Sequence, residues 1–485
     1  MKETPVRIGF APTRRDCFTH PEAGEMREKI LRKISGLGVE IVDVAGINDE
    51  GFLMGNDDVE KARRIFRESE IDGLFLPHCN FGSEGIVARL AAALQKPVLL
   101  WGPRDGMPLP GEDRTRDTQC GLFATGKALR RRNLPFTYLV NTDVDDPVFE
   151  NGFRSFAAVC AVVKAFRNLR ILQVDVRPDP FWTVMYNEGE LLERFGIQVC
   201  PITLQDLKDR MEEMTGQQEL LRAEADKLRA SVSCGDVGEE GLEKLAELKT
   251  ALRSLCKSNG CGAVAIHCWG PLQKAVGAAA CTVNGLLTEE GIPVACETDV
   301  HGAISSVLIQ AASREASSTF FADLTIRHPQ NDNAELLWHC GNFPPSLTRP
   351  GTKCAIKCIR PGFGTFPSQT GCEIRGGDIT VCRFDGDHGD YRLFIGEGKG
   401  VDGPATTGTY CWFEVNDWPM WEEKLVTGPY IHHCSGVHAR VAHILYEACK
   451  YLGIRPDPAD PCEEGLRARW REGWRDVCGG ERDAR

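Results

Sequence analysis

Glu297 and Asp323 stand where apolar runs give way to polar residues. Pro293–Cys296 leads into Glu297, Asp299 and His301, and Thr319–Ala322 leads into Asp323 and Thr325. A carboxylate at the end of a buried strand is costly to desolvate unless a cation or hydrogen bonds compensate. The stretch between them, Gly302 to Ala312, reads as one helix. Two parallel strands joined by such a crossover would bring both carboxylates to one edge of a sheet. That edge, outside the carboxyl ends of the strands, is where α/β sheets hold ligands.

Histidines supply the rest of a candidate donor set. His432, His433 and His438 cluster at an expected loop-to-helix junction, and His339 ends the apolar run Leu336–Trp338. An isolated histidine is more often a packing or surface residue, but acidic strand ends need a countercharge, which gives the doublet weight. Two carboxylates and an imidazole, with positions left for oxygen ligands, suit Mn²⁺, Mg²⁺ or Co²⁺ better than a closed Zn²⁺ site. His339 is a fourth candidate ligand.

Other chemistry finds less support. Gly121–Lys127 resembles part of a phosphate loop, but the spacing is wrong and the Ser or Thr is missing. No GxGxxG follows the first strand, and no GxSxG or CxxC occurs. Cys296 and Cys434 adjoin Glu297 and His433 without an activating dyad. Trp269 can stack on the flat face of a ligand or sit in a core, with His267 and His432 as polar neighbours. Arg14, Arg15 and Arg104, in loops after the first and fourth strands, can meet an anionic group or remain surface residues.

The elements that must position these groups follow from the pattern. In residues 1–166, strand-like runs at 6–11, 39–44, 71–76, 97–101 and 136–140 alternate with helical patterns near 25–36, 57–68 and 84–94. This implies a parallel sheet with covering helices. The programme restarts in residues 167–341, with strands near 169–176, 263–266 and 293–296 and a helix at 188–195. Residues 204–258 read as two helices with a solvated charged face. Residues 342–485 change period: short strands separated by Gly-rich turns indicate a small antiparallel barrel or sandwich, and a helix from about 437 to 452 follows. The fold class is thus α/β, with two Rossmann-like domains, then a β-barrel and a C-terminal helix.

With 485 residues and a formal charge of −12, the chain has material for two or three domains and no basic stripe for nucleic acid. No run is long enough to span a bilayer, and no apolar signal precedes the first strand. We therefore expect a cytoplasmic protein. Its 21 cysteines are spread through apolar runs, as buried reduced thiols would be.

At this point the chain resembles the L-fucose isomerase and L-arabinose isomerase superfamily. The resemblance rests on CETDVHGA at 296–303, FFADLT at 320–325 and HHCSGVH at 432–438. It implies that Glu297, Asp323 and His433 hold Mn²⁺, with His339 as a further ligand, and that the two carboxylates move protons. It also implies an open-chain aldose as substrate, a cis-enediol(ate) between aldose and ketose, and a homo-oligomer, a hexamer in this family. Phe81–Glu84 resembles a loop that reaches a neighbouring subunit's site, although Cys79 replaces the family's stacking tryptophan. That departure leaves open whether the aldose is neutral, deoxy or anionic. Epimerase or lyase chemistry through the same enediolate, and a non-catalytic sugar-binding protein, are the rival readings.

Overall fold

In the computed structural model of the protein, residues 5–18, 20–107, 110–111, 114–235, 237–314, 316–358 and 367–472 are described. The chain forms two compact units. One takes in the chain up to Lys164 and the helix Glu463–Glu472, and the other is Ala165–Cys462.

In the first unit, β1 (Arg7–Phe10), β2 (Glu40–Asp43), β3 (Gly73–Pro77), β4 (Val98–Trp101) and β5 (Thr137–Tyr138) form a parallel sheet in the order 2-1-3-4-5. Strands β3 and β4 are buried along their whole length, as their unbroken apolar sequences require when helices cover both faces. Phe75, Trp101, Phe149 and Phe153 pack one side of this sheet, with Trp101 and Phe149 ring centroids 4.3 Å apart. Helices Thr118–Arg131 and Pro147–Phe166 were not apparent from periodicity. The first absorbs Gly121–Lys127, so the partial phosphate-loop pattern is helical. Gly121 is there for packing: a Cβ on it would lie 1.8 Å from the Phe81 carbonyl oxygen.

The second unit begins with a parallel sheet of β6 (Arg170–Val174), β7 (Gln198–Ile202), β8 (Ala263–Ile266) and β9 (Val294–Ala295), in the order 7-6-8-9. Residues 204–258 form three helices, Leu204–Thr215, Gln218–Ser231 and Glu239–Ser258, rather than two. The break at Gly216–Gln217 ends the first one early.

The rest of this unit is built on β10 (Thr319–His328), β11 (Asn331–His339), β12 (Ala355–Cys358), β13 (Pro367–Glu373), β14 (Gly377–Asp387), β15 (Asp390–Val401), β16 (Thr409–Glu414), β17 (His433–Val437) and β18 (Arg455–Asp460). Six of them close into an antiparallel barrel, running β16-β11-β10-β17-β14-β15 and back to β16. Phe320, Ala322, Leu337, Val381, Phe394, Phe413 and Cys434 point into its core, which Trp421 from the helix Trp418–Thr427 helps to fill.

Two expectations are corrected here. Asp323 does not lie on the parallel sheet of Glu297: its strand β10 pairs antiparallel with β11 and β17. The alternation of Phe320 and Ala322 inward with Phe321 and Asp323 outward fits a barrel wall, whereas a central parallel strand is apolar on both faces. His433 does not sit at a loop-to-helix junction but opens β17, and the following helix starts only at Ala442. Between the sheet and the barrel lies helix Val300–Ser313, which packs on β8, β9, β10, β14 and β17. It is buried almost all round, as its small and apolar sequence demands.

Among the described cysteines, Cys354 and Cys372 form a disulfide, so the reading of uniformly reduced thiols is corrected at that pair. Their Cα atoms, 4.8 Å apart, fall within the range a disulfide can bridge. None of the described helices is long and apolar enough to cross a membrane.

Candidate metal centre

The end of β9 carries the chain into an unusual backbone. Glu297 and Thr298 both adopt positive φ, 55° and 60°. Two consecutive non-glycine residues in the left-handed region carry a conformational cost that the surrounding fold must offset. The turn aims Glu297 toward the barrel and starts the next helix, where the Asp299 side chain accepts from the Gly302 N–H at 2.9 Å.

Three barrel strands face this turn. Asp323 and His433 are cross-strand partners in the β10–β17 ladder, so their side chains project from the same face. His339 ends β11. Glu297 Oε2 lies 3.5 Å from His339 Nε2 and 3.8 Å from His433 Nε2, and Asp323 Oδ1 is 3.4 Å from His433 Nε2. The four expected ligands therefore come together, although they derive from two sheets.

Their electrostatics couple carboxylates to imidazoles. Glu297, His339 and His433 are buried, and Glu297 Oε2, Asp323 Oδ1 and His339 Nε2 have no hydrogen-bond partner among the described residues. Burial pushes the Glu297 carboxyl up, but His339, His433 and the Cys268 thiol outweigh it, and it titrates below its ordinary value. Burial disfavours protonated His339, yet Asp323 and Glu297 overcome that and hold its imidazole well above the usual range. The two carboxylates thus favour positive charge between them, as imidazolium or as a bound cation. Two carboxylate oxygens and two imidazole nitrogens fit a divalent ion of intermediate hardness.

Behind the cluster runs a buried chain of ion pairs that the sequence reading did not include. His433 Nδ1 is 2.8 Å from Asp299 Oδ2. Asp299 also pairs with Arg383, whose Nε reaches Asp385 Oδ2 at 2.8 Å, and Asp385 Oδ1 lies 3.0 Å from His301 Nδ1. Burial raises the Asp299 carboxyl, but Arg383 and His433 outweigh it and hold it far below the ordinary range. Asp299 and His301 lie in the stretch that drew attention to Glu297, and Arg383 and Asp385 break the apolar pattern of β14. Oppositely charged Arg383 and Asp385 two residues apart in a strand-like run were the only sequence trace, and their partner Asp299 lies far away in the chain.

The other sequence candidates fall into three places. His432 is exposed, its ring centroid 4.4 Å from that of His433, and its ligand nitrogen lies within 4.8 Å of donor atoms of Asp323 and His433. Trp269 meets Phe181 edge-on at 5.3 Å, and Phe181 faces His433 at 6.3 Å, so an aromatic pair lies beside the cluster. His267 is buried at the end of β8, with Nδ1 3.5 Å from Asp175. Arg14 belongs to the first unit, where its guanidinium is buried and taken up by Glu50 and Asp16 at 2.7 and 2.6 Å. In that unit Arg15 covers the Phe81 ring at 4.1 Å and pairs with Glu84, fixing the Phe81–Glu84 loop. His438 is turned away, bonded to the Arg375 carbonyl at 2.8 Å.

A buried acid–imidazole cluster between a parallel α/β sheet and an antiparallel barrel defines an α/β enzyme with a metal-capable centre. Comparison with known proteins gives the class its name. The family model for the fucose/sulfoquinovose isomerase N-terminal domain matches residues 9–167, and that for the L-fucose isomerase C-terminal domain matches residues 337–457. A sulfoquinovose isomerase from Alkalicoccus urumqiensis is 28% identical over 64% of this chain and 68% of its own length. Another from Priestia aryabhattai is 24% identical over 81% of this chain and 85% of its own. A solved periplasmic solute binding protein with bound D-allose, from Actinobacillus succinogenes, covers 64% of this chain and 94% of its own at 12% identity, but its TM-score of 0.17 carries no weight. The chain belongs to the fucose isomerase-like family and is an aldose–ketose sugar isomerase.

Proposed function

We propose that this isomerase is metal-dependent and works at the Glu297–Asp323–His433–His339 cluster, interconverting an open-chain aldose and its ketose through a cis-enediol(ate). The observation that carries this reading is the pair of carboxylate oxygens, Glu297 Oε2 and Asp323 Oδ1, that flank His433 Nε2 and have no hydrogen-bond partner among the described residues. Glu297, Asp323, His433 and His339 would hold the ion, Mn²⁺ first, with Mg²⁺ and Co²⁺ as alternatives. A bound divalent ion would polarise the sugar carbonyl and offset the charge of the enediolate.

The side chains supply the proton traffic. One of the two carboxylates takes the proton from C2 of the aldose, and the other manages the proton at oxygen. Return of a proton to C1 completes the ketose, with neither carboxylate changed at the end. Asp299 holds His433 so that Nε2 faces the reacting groups. Phe181 and Trp269 form an apolar wall suited to the sugar's carbon skeleton.

We take sulfoquinovose, an aldose bearing a 6-sulfonate, as the first substrate to try, because the matched relatives carry that name. We also propose a cytoplasmic homo-oligomer, a hexamer by family, with the Phe81–Glu84 loop serving a neighbouring site. The test is proton exchange at C2 followed by NMR in D₂O with Mn²⁺, using sulfoquinovose, fucose, arabinose and glucose 6-phosphate. Metal-dependent exchange with ketose formation supports the proposal and names the substrate. Exchange returning only a C2 epimer, or sugar binding without exchange, overturns it. Light scattering of the same sample reports the oligomer.

A further inference from the structure

Glu297 presents its two oxygens to different chemistry. Oε2 faces the imidazoles of His339 and His433, whereas Oε1 accepts from the Cys268 sulfur at 3.5 Å. Cys296 completes a second group on that side. Donor atoms of Cys268, Cys296 and Glu297 all lie within 4.8 Å of one another, and all three residues are buried.

The neighbours of this group on the Cys296 side are neutral amides. Two side-chain amides converge on the Cys296 sulfur, Asn284 Nδ2 at 3.5 Å and Asn342 Nδ2 at 3.4 Å. Asn284 is fully buried and Asn342 is 3% exposed. Their amide oxygens have no hydrogen-bond partner among the described residues. Two sulfurs and a carboxylate oxygen thus meet in a buried place, bordered by two amides that each keep one acceptor unsatisfied. Buried polar atoms without partners are costly, and a group of metal-capable donors this close together can be bridged by one ion.

The donor types choose the cation. Thiolate sulfur selects soft or borderline ions, and two sulfurs with one carboxylate oxygen make a three-point site for Zn²⁺ or Cd²⁺. Mn²⁺ and Mg²⁺ prefer the oxygen and imidazole donors on the other side of Glu297. Ligation exchanges two thiol protons for one divalent ion, so the net charge of the space is unchanged.

We propose that Cys268, Cys296 and Glu297 Oε1 form a second, thiophilic metal site that takes Zn²⁺ or Cd²⁺ and, by drawing Glu297 away from the imidazole side, inhibits the isomerase. The inhibition rests on the role given to Glu297 above; the binding does not.

The test uses the full chain with the exposed thiols Cys17, Cys120 and Cys462 changed to serine. CdCl₂ titration is followed by thiolate-to-metal absorption in the ultraviolet and by ¹¹³Cd NMR. One equivalent of Cd²⁺ is expected to give a charge-transfer band and a sulfur-shifted resonance. Both should vanish in the C268S/C296S variant, with circular dichroism checking its fold. Against each variant's own uninhibited rate in excess Mn²⁺, Cys268→Ser raises the half-inhibitory Cd²⁺ concentration by more than about tenfold, a loss that even an outer-shell partner can produce. If the double variant does not fold, Cys268→Ser and Cys296→Ser are read singly in the same background, where each is expected to move the ¹¹³Cd resonance and an unmoved resonance in both overturns the proposal. A resonance with only nitrogen and oxygen ligands, or a band that survives loss of both thiols, overturns the proposal. Mn²⁺ binding, read separately by electron paramagnetic resonance, reports on the isomerase centre, so its failure is told apart from failure of the thiol site.

Discussion

His433 and Asp299 share one hydrogen bond that fixes the chemistry of the imidazole. Asp299 is held ionised by Arg383, against the cost of burial, so it can only accept. His433 Nδ1, 2.8 Å from Asp299 Oδ2, must therefore carry the proton. Nε2 is thus the nitrogen that can offer a lone pair toward Glu297 and Asp323, as a ligand must.

Removing that control should loosen metal before it loosens sugar. In Asp299→Asn the side chain can still accept from His433 only if its amide group turns toward Arg383, where a positive charge repels it. Mn²⁺ affinity is expected to fall by about 10–100-fold, the usual cost of losing an outer-shell partner. Calorimetric titration with Mn²⁺ checks this. An unchanged affinity in a folded variant would show that Asp299 serves the fold alone.

The carboxylate pair is expected to separate chemistry from assembly. Glu297→Gln and Asp323→Asn keep the shape of the cluster and remove a base. C2 exchange should drop by at least about 10²-fold in each, while far-ultraviolet circular dichroism stays that of the parent. A variant of either residue exchanging within a few-fold of the parent would end the role given to it.

Gly302 tests how closely the buried helix must approach. A Cβ there would meet both Asp299 Oδ2 and the Phe321 ring at 2.5 Å, and neither neighbour has room to move, since both are buried. Gly302→Ala is expected to cost about 1–3 kcal/mol by overpacking and to weaken Mn²⁺ binding by displacing Asp299. Thermal unfolding with and without Mn²⁺ reads both effects. Equal losses of stability in the two conditions would mean that Asp299 has not moved.

The donor set was legible because carboxylates and histidines at the ends of apolar runs are expensive and therefore conspicuous. The route that brings them together was less so. Asp323 and Glu297 sit in runs of similar composition, and nothing in a four-residue apolar run distinguishes a parallel strand from a barrel wall. The distinction came from β17, whose His433–Val437 residues pair with both β10 and β14. Those pairings link residues far apart in sequence, more than a hundred positions for β10 and more than fifty for β14, and leave no local trace. Arg383 was hidden for the same reason: its partner Asp299 is distant in sequence, and β14 otherwise reads as an ordinary strand.

The charged helical hairpin was read as solvated, and one of its ion clusters proves to be buried. Glu224 accepts from Lys249 at 2.9 Å, from Arg253 at 3.1 and 3.2 Å and from Lys227 at 2.8 Å, and both Glu224 and Lys249 are almost fully buried. Burial raises the Glu224 carboxyl, but the three cations outweigh it and hold it well below the ordinary carboxylate range. A carboxylate whose folded value is depressed stabilises the fold fully above its unfolded value, near 4.3. That contribution is lost as pH falls from there toward the folded value. Glu224→Gln strands Lys249 with only Glu290, at 2.7 Å, and should cost about 3–5 kcal/mol at neutral pH, as breaking a buried pair does. Urea unfolding measured from pH 7 down to pH 3 should show the parent losing stability below about pH 4.5 and the variant losing less. Parallel curves would mean that Glu224 is not the group whose protonation the fold resists.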